Sequence, residues 1–235
     1  MVDFLGTIAT AALMMLMVNA VLTFMPIGRP AKLVVAGVAG LWIGLAAAAS
    51  AAGWLAIARP FPVIGIFVAT PLIAAAVAMT FPAARAAMLG VPMPLMIGLN
   101  IGRVLAVLFF ALEAQGRLAG PFPFFAGWGD ILTGVVALPL LFVAAKRSSA
   151  VMLWNLFGTA DLIDAIFLGV TSSEGSPLQL FHSPPGSDAM QYLPWSFVPT
   201  VLVPLYLILH GIIFAQLSAR RASAGSAPQV VASAP

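Results

Sequence analysis

The sequence predicts an all-α polytopic integral membrane protein: seven transmembrane helices, the N-terminus outside and the C-terminus cytoplasmic. Three observations carry this. First, the 235-residue chain is 62% hydrophobic and 7% charged, with a mean hydropathy of +1.10. Soluble domains carry about 25% charged residues, so a chain this apolar cannot cover itself with polar surface, and lipid must be its solvent. Second, the apolar stretches are continuous and rich in Ala, Leu, Val and Met, unlike the short alternating segments of a transmembrane barrel. Third, lysine and arginine are unevenly shared between alternate connections, which sets orientation.

A crossing helix needs about 20 apolar residues, and seven stretches qualify: 4–25, 33–57, 61–80, 94–115, 125–145, 150–170 and 194–217. The first follows Met-Val-Asp, with no basic residue before it. It is a poor signal peptide, so its retention is expected. PIGRPAK (26–32) separates it from the second, where Gly40 and Gly44 in GVAGLWIG form a GxxxG pair. Small residues at this spacing let helices approach closely, within the chain or in a homo-oligomer. ARPFP (58–62) precedes the third span and FPAARAAMLGVP (81–92) the fourth; GRLAGPFP (116–123) precedes the fifth and KRSS (146–149) the sixth. Pro71, Pro139, Pro199 and Pro204 fall inside spans, where each removes a backbone hydrogen bond and can kink its helix. FVATPL (67–72) and FVPTVL (197–202) echo one another, as a parallel repeat linking the third and seventh spans would require. The sixth span leads into the one long connection, 171–193, and the small, polar segment 218–235 is expected to be a disordered cytoplasmic tail.

With the C-terminus inside, Arg29, Lys32, Arg85, Lys146, Arg147, Arg220 and Arg221 are cytoplasmic, against Arg59 and Arg117 outside. The reverse orientation inverts that ratio. The net charge of +3 and isoelectric point near 10.0 therefore read as orientation signals, not as a nucleic-acid surface. Trp54, Trp128 and Trp195 are expected in an outer aromatic belt and Trp154 at the inner interface. The expected location is a bacterial-type plasma (inner) membrane.

The few charges inside spans are the candidates for function. Arg103 in the fourth span and Asp161 in the sixth lie roughly 14 and 16 Å from the cytoplasmic ends, at 1.5 Å per residue. Unpaired, each costs about 3 kcal/mol at the bilayer centre. Pairing of Arg103 with Asp161 or Asp164, three residues apart, is expected. Asn100 and Asn155 add hydrogen-bonding capacity on the cytoplasmic side, while Asp130, Thr133 and Glu113 extend the polar surface outward. One arginine facing two carboxylates leaves one carboxyl to carry an exchangeable proton, the property a coupled carrier needs. The expected site is a polar cavity lined by spans four to seven, opening outward, with 171–193 over it.

Other chemistries are poorly supported. Without cysteine there is no disulfide, thiolate catalyst or thiolate metal site. No GxSxG or HExxH motif is present, so no catalytic residue and no metal ligand is assigned. His210 reads as a hydrogen-bonded or interfacial histidine rather than a haem ligand, since the other histidine, His182, is in the long connection. Seven spans invite comparison with rhodopsins, but a retinal Schiff base needs a lysine within a span, and Lys32 and Lys146 are both in connections; no cofactor is expected. The reading is a small-solute or ion-coupled carrier. The alternative is a ligand-binding, sensory or structural membrane subunit in which the ion pair only locks the bundle, and behind it an intramembrane lipid-modifying enzyme using the carboxyls as acid and base.

Overall fold

The structure, a computed structural model, describes residues 1–144 and 147–225. Lys146 and the last ten residues of the expected tail lie outside the described residues. The described residues are helical, with no strand among them. The elements are α1 (Val2–Phe24), α2 (Arg29–Ala51), α3 (Val63–Ala78), α4 (Pro82–Leu89), α5 (Met93–Leu99), α6 (Val107–Ala114), α7 (Pro121–Val143), α8 (Ser148–Thr171) and α9 (Val203–Gly225). A 3₁₀ stretch, Asn100–Ala106, joins α5 to α6, and a π-helical stretch, Val198–Leu202, leads into α9.

Among the described residues, six helices are long and apolar enough to cross a membrane: Val2–Phe24, Arg29–Ala51, Met93–Ala114, Pro121–Val143, Ser148–Thr171 and Val198–Ala222. A seventh exists if α3 and α4, bent by 107° at their junction, count as one span. The bend has a local cause: Pro82 disfavours helical geometry at the residue before it, so Phe81 is extended (φ −89°, ψ 123°), and α4 restarts at Pro82 in a new direction. The second span stops at Ala51, short of residue 57, because Gly53 takes a left-handed conformation (φ 74°) that ends the helix. Pro121 and Pro123, read as part of a separator, instead lie in the first turn of α7. The expected tail begins as helix, with α9 continuing through 218–225. FVATPL forms regular α-helix, whereas FVPTVL includes the π stretch, so the echo does not extend to matching backbone.

Contacts at the two ends of the bundle fix how the chain threads it. At one end Asp3 accepts hydrogen bonds from Arg117 and Trp195, and Ser50 donates to the Gln191 carbonyl. At the other, Gln216 donates to the carbonyls of Leu89 and Val91, and Lys32 to that of Thr23. Span four, α7, α8 and α9 pack at the centre, with α3 against α9, while α1 and α2 are largely exposed. Gly40 and Gly44 face open space, with no helix packed on them among the described residues. Trp54 and Trp128 are exposed as a belt requires, but Trp154 and Trp195 are buried. Their indole N–H groups find partners inside the protein, the Thr133 carbonyl and Asp3.

Two apolar clusters make up the core. The larger gathers Met96, Ile97, Ala137, Leu140, Trp154 and Ile213; the smaller gathers Phe109, Leu112, Phe122, Leu168 and Trp195. Along the chain, Arg103 falls between Leu99 of the first cluster and Ala106 of the second, and Asp130 between Ala126 of the second and Ala137 of the first; Asp161, bonded to Arg103, adjoins Leu162 of the first. The charged layer is therefore the seam between two apolar halves.

Candidate functional site

Each helix presents its part of the site through its own periodicity. A 3₁₀ turn has three residues, so every third side chain eclipses. Asn100, Arg103 and Ala106 accordingly form the buried line of the 3₁₀ stretch. On α7 the buried stripe runs Ala126, Gly127, Thr133, Gly134 and Ala137, with Asp130 on its path. On α8 it runs Val151, Asn155, Gly158, Asp161 and Leu162.

Arg103, whose side chain is fully buried, is the hub. Its Nε donates to Asp130 Oδ1 at 2.6 Å, and its Nη2 donates to Asp161 Oδ2. Nη1 donates to the Gly158 carbonyl and faces His210 Nε2, both at 3.2 Å. The Tyr206 ring lies 5.6 Å beneath the guanidinium carbon, at cation–π distance. The histidine tautomer follows from its neighbours. A guanidinium can only donate, so Nε2 accepts, and Nδ1–H then donates to Asn155 Oδ1 at 2.7 Å. Asn155 completes the bracket by donating from Nδ2 to the His210 carbonyl at 3.1 Å. His210 is thus a neutral, hydrogen-bonded second layer behind the arginine.

Glycines make this density of contact possible. A Cβ at Gly129 would collide with the Asp161 carboxylate, and one at Gly158 would lie 2.7 Å from His210 Cε1. At Gly134 it would meet Val104 N and the Asn100 carbonyl at 3.0 and 3.1 Å. Asn100 donates to the Met96 carbonyl, while Asn100 Oδ1 and Thr133 Oγ1 are buried without a hydrogen-bond partner among the described residues.

Of the expected residues, Arg103, Asp161, Asp130 and Asn155 come together in this network. Asp161 is the carboxylate of α8 that Arg103 takes. Asp164 is exposed, further round the helix beside Ile163 and Phe167. With 100° per residue, Asp161 lies about 60° from Gly158 at the centre of the buried stripe and Asp164 about 120° from it, which is too far round to reach the arginine. Glu113 is exposed near the end of α6, with no bond to the cluster. Tyr206 and the bridging role of His210 were not anticipated. Their spacing of four residues on one face of an otherwise apolar span is the signal that could have found them.

Two cavities meet at Asp130. A small one of about 50 Å³ is bordered by Thr10, Gly102, Arg103, Asp130, Trp195 and Tyr206. A larger one of about 320 Å³ is bordered by Val68, Phe109, Phe122, Asp130, Ile166 and Pro199, among others. The larger cavity departs from the expected polar one: α3 supplies a wall and apolar side chains dominate. The reason is that the polar groups of spans four, six and seven are consumed by one another at the hub, leaving Asp130 at the wall. Ser173, Ser187, Met190 and Gln191, from the long connection, cover its end. That cover is itself bonded: Ser187 donates to the Gly169 carbonyl, and Gln191 to Ser173 and Asp188.

Residues 60–218, which include the whole cluster, match the family described as Domain of unknown function (DUF8737). The chain belongs to that family. No curated protein and no solved structure gives a significant match.

Proposed function

We propose that this protein is a plasma-membrane carrier of seven crossings, N-terminus outside, that couples movement of a small solute to a proton at the Arg103–Asp130–Asp161 cluster. The observation that carries this reading is the charge count. One buried guanidinium serves two carboxylates, so the cluster holds one negative charge more than it neutralises. Asp130 is where that excess becomes usable. Its Oδ1 is held by Arg103, its other oxygen makes no hydrogen bond among the described residues, and it borders both cavities. The exchangeable proton is thereby assigned to Asp130, not to the exposed Asp164. The backbone supports movement at the same level. Span four carries a 3₁₀ break and the last span a π stretch with Pro199, the kind of local departure from α geometry that marks hinges and midplane binding sites. The orientation rests on Arg29, Arg85, Arg147, Arg220 and Arg221, which belong to the connections and termini at the Gln216–Leu89 end, and on Arg59 and Arg117 at the other.

Purified protein in proteoliposomes, with an internal pH dye and a series of added solutes, tests the proposal. Wild type should show solute-dependent proton movement that Asp130→Asn abolishes while the protein stays folded. Unchanged flux in both Asp130→Asn and Asp161→Asn would end the coupling idea. A second reading, a purely structural lock, is favoured by the full set of partners around Arg103. It predicts that both variants lower thermal stability and that no solute moves protons in wild type.

A further inference from the structure

We infer that the cavity of about 320 Å³ binds a small apolar organic cation, an amine or quaternary ammonium with an aromatic or short alkyl body, reached sideways from the membrane between α3 and α8. This rests on the carrier reading of the same cluster and names its substrate class.

The chamber itself selects the chemistry. Its volume is at the small end of ligand pockets, which run from about 300 to 1,000 Å³. Among the described residues, Asp130 is the one charged side chain on its wall, and no lysine or arginine borders it. An anionic head group would therefore meet repulsion and no counter-charge. Sugars and zwitterions need several convergent donors and acceptors, and the chamber does not offer them. Ser173, Ser187 and Gln191 are hydrogen-bonded within the cover and to the Gly169 carbonyl. What remains is one carboxylate oxygen in an apolar space. The rings of Phe109 and Phe122, 5.9 Å apart, form a corner on the same wall, and aromatic faces favour a desolvated cation.

The route follows from helix packing. α3 packs on α9 and the π stretch, and α8 packs on α7 and α9, but α3 and α8 are not extensively packed on each other. Both nevertheless border the chamber, through Ile64, Val68 and Leu72 on one side and Ala165, Ile166 and Gly169 on the other. Entry between these two lightly packed helices would draw the cation from the bilayer, where a lipophilic cation concentrates.

Cation and proton compete for one site. The charged and titratable groups around Asp130 are Arg103 from span four, Asp161 from α8, and His210 and Tyr206 from α9, the histidine acting through the arginine. With Arg103 balanced by Asp161, Asp130 carries either a proton or the organic cation, so transport is an exchange of one for the other.

Equilibrium binding of tritiated benzyltrimethylammonium to the purified protein in nanodiscs tests the assignment. Saturable binding is expected, displaced by phenethylamine but not by 3-phenylpropionate, and weakening as pH falls. Asp130→Asn should weaken it at least tenfold, and Asp130→Glu should retain part of it. Ala69→Phe, which fills the chamber without touching the cluster, should abolish it. Should Asp130→Asn fail to fold, the Glu and Ala69 variants decide. Displacement by 3-phenylpropionate equal to that by phenethylamine, binding indifferent to Ala69→Phe, or no saturable binding by folded wild type would each overturn the inference. The carrier reading fails separately: it is lost if the cation binds as described but never exchanges for protons in liposomes. It survives if another solute drives proton movement while the cation does not bind.

Discussion

Arg103 aims its N–H groups at Asp130, Asp161, the Gly158 carbonyl and His210, all of them buried or partly buried. Its removal leaves two carboxylates in the interior without a counter-charge, a loss of about 3–5 kcal/mol for a broken buried pair. Arg103→Met should therefore lower the unfolding midpoint in detergent sharply, and adding Asp130→Asn and Asp161→Asn to it should restore most of the loss. Failure of that restoration would mean the arginine holds the fold through packing, not charge. Thr133 offers a contrast. Its hydroxyl has no partner among the described residues, while its carbonyl takes the Trp154 indole N–H at 2.9 Å. Thr133→Val keeps the shape and removes only the orphaned hydroxyl, so thermal stability should stay level or rise by about 1 kcal/mol. A fall in proton-coupled flux at unchanged stability would show that the hydroxyl is used. At this scale the sequence made a pair between Arg103 and an aspartate of α8 legible, because two opposite charges at one depth in lipid have few other solutions, but it left Asp161 and Asp164 as equal candidates. It left the second partner, Asp130, unassigned, because a depth estimate carries no information on which face of α7 meets which face of span four.

Helix faces are set by glycine as much as by charge. α7, α8 and the 3₁₀ stretch approach closely where Gly134 and Gly158 stand, and Gly158→Ala would place a methyl 2.7 Å from His210 Cε1 and 2.9 Å from both His210 Nε2 and Thr133 Cγ2. Overpacking of this kind costs about 1–3 kcal/mol, so the variant should melt earlier, whereas Gly40→Ala on the open face of α2 should not. The stripe of α8 also separates two residues that sequence spacing leaves open. Asp161 and Asp164 look equivalent as neighbours in TADLID, and only the position of Gly158 under His210 shows which of them points inward. The cover over the larger cavity is likewise an element with its own energetics. Burial pushes the Asp188 carboxyl above its usual range; the hydrogen bond from the Glu174 amide opposes this, and the Glu174 charge adds to it. A carboxyl raised in the folded state stabilises fully below its unfolded value and loses that contribution as pH rises through the folded one. Hydrogen exchange of amides 186–191, corrected for intrinsic rates, should show better protection at pH 4 than at pH 7. Asp188→Asn should flatten the difference.

Seen whole, the molecule is two apolar clusters with a charged seam between them, and a chamber along that seam bounded by α3, α8 and the last span. Composition together with the continuity of the apolar stretches made the helical membrane class legible: so few charges call for lipid as solvent, and unbroken runs of about 20 apolar residues call for helices, not barrel strands. The non-α segments were not legible, because a 3₁₀ or π stretch arises from what packs against it. Trp42, for instance, donates to the Thr200 carbonyl inside the π stretch, a contact 158 residues apart in sequence. Orientation is the remaining whole-molecule question, and the chain makes it easy to ask because it has no cysteine. A single introduced thiol is then the sole target of a membrane-impermeant maleimide. Glu174 is exposed in the long connection, at the end where Asp3 meets Arg117 and Trp195. Ser149 is exposed at the start of α8, at the opposite end. Six crossings would put both termini on one side and seven would separate them, so a third thiol, Ala222→Cys near the end of α9, completes the set. With the N-terminus outside and seven crossings, Glu174→Cys should label in intact cells, and Ser149→Cys and Ala222→Cys only after the membrane is opened. The inverse pattern would reverse the orientation and move the cytoplasm to the cavity's covered end. Labelling of Glu174→Cys and Ala222→Cys together in intact cells would mean that the last span does not cross, and the chamber it helps to wall could not connect two sides of a membrane.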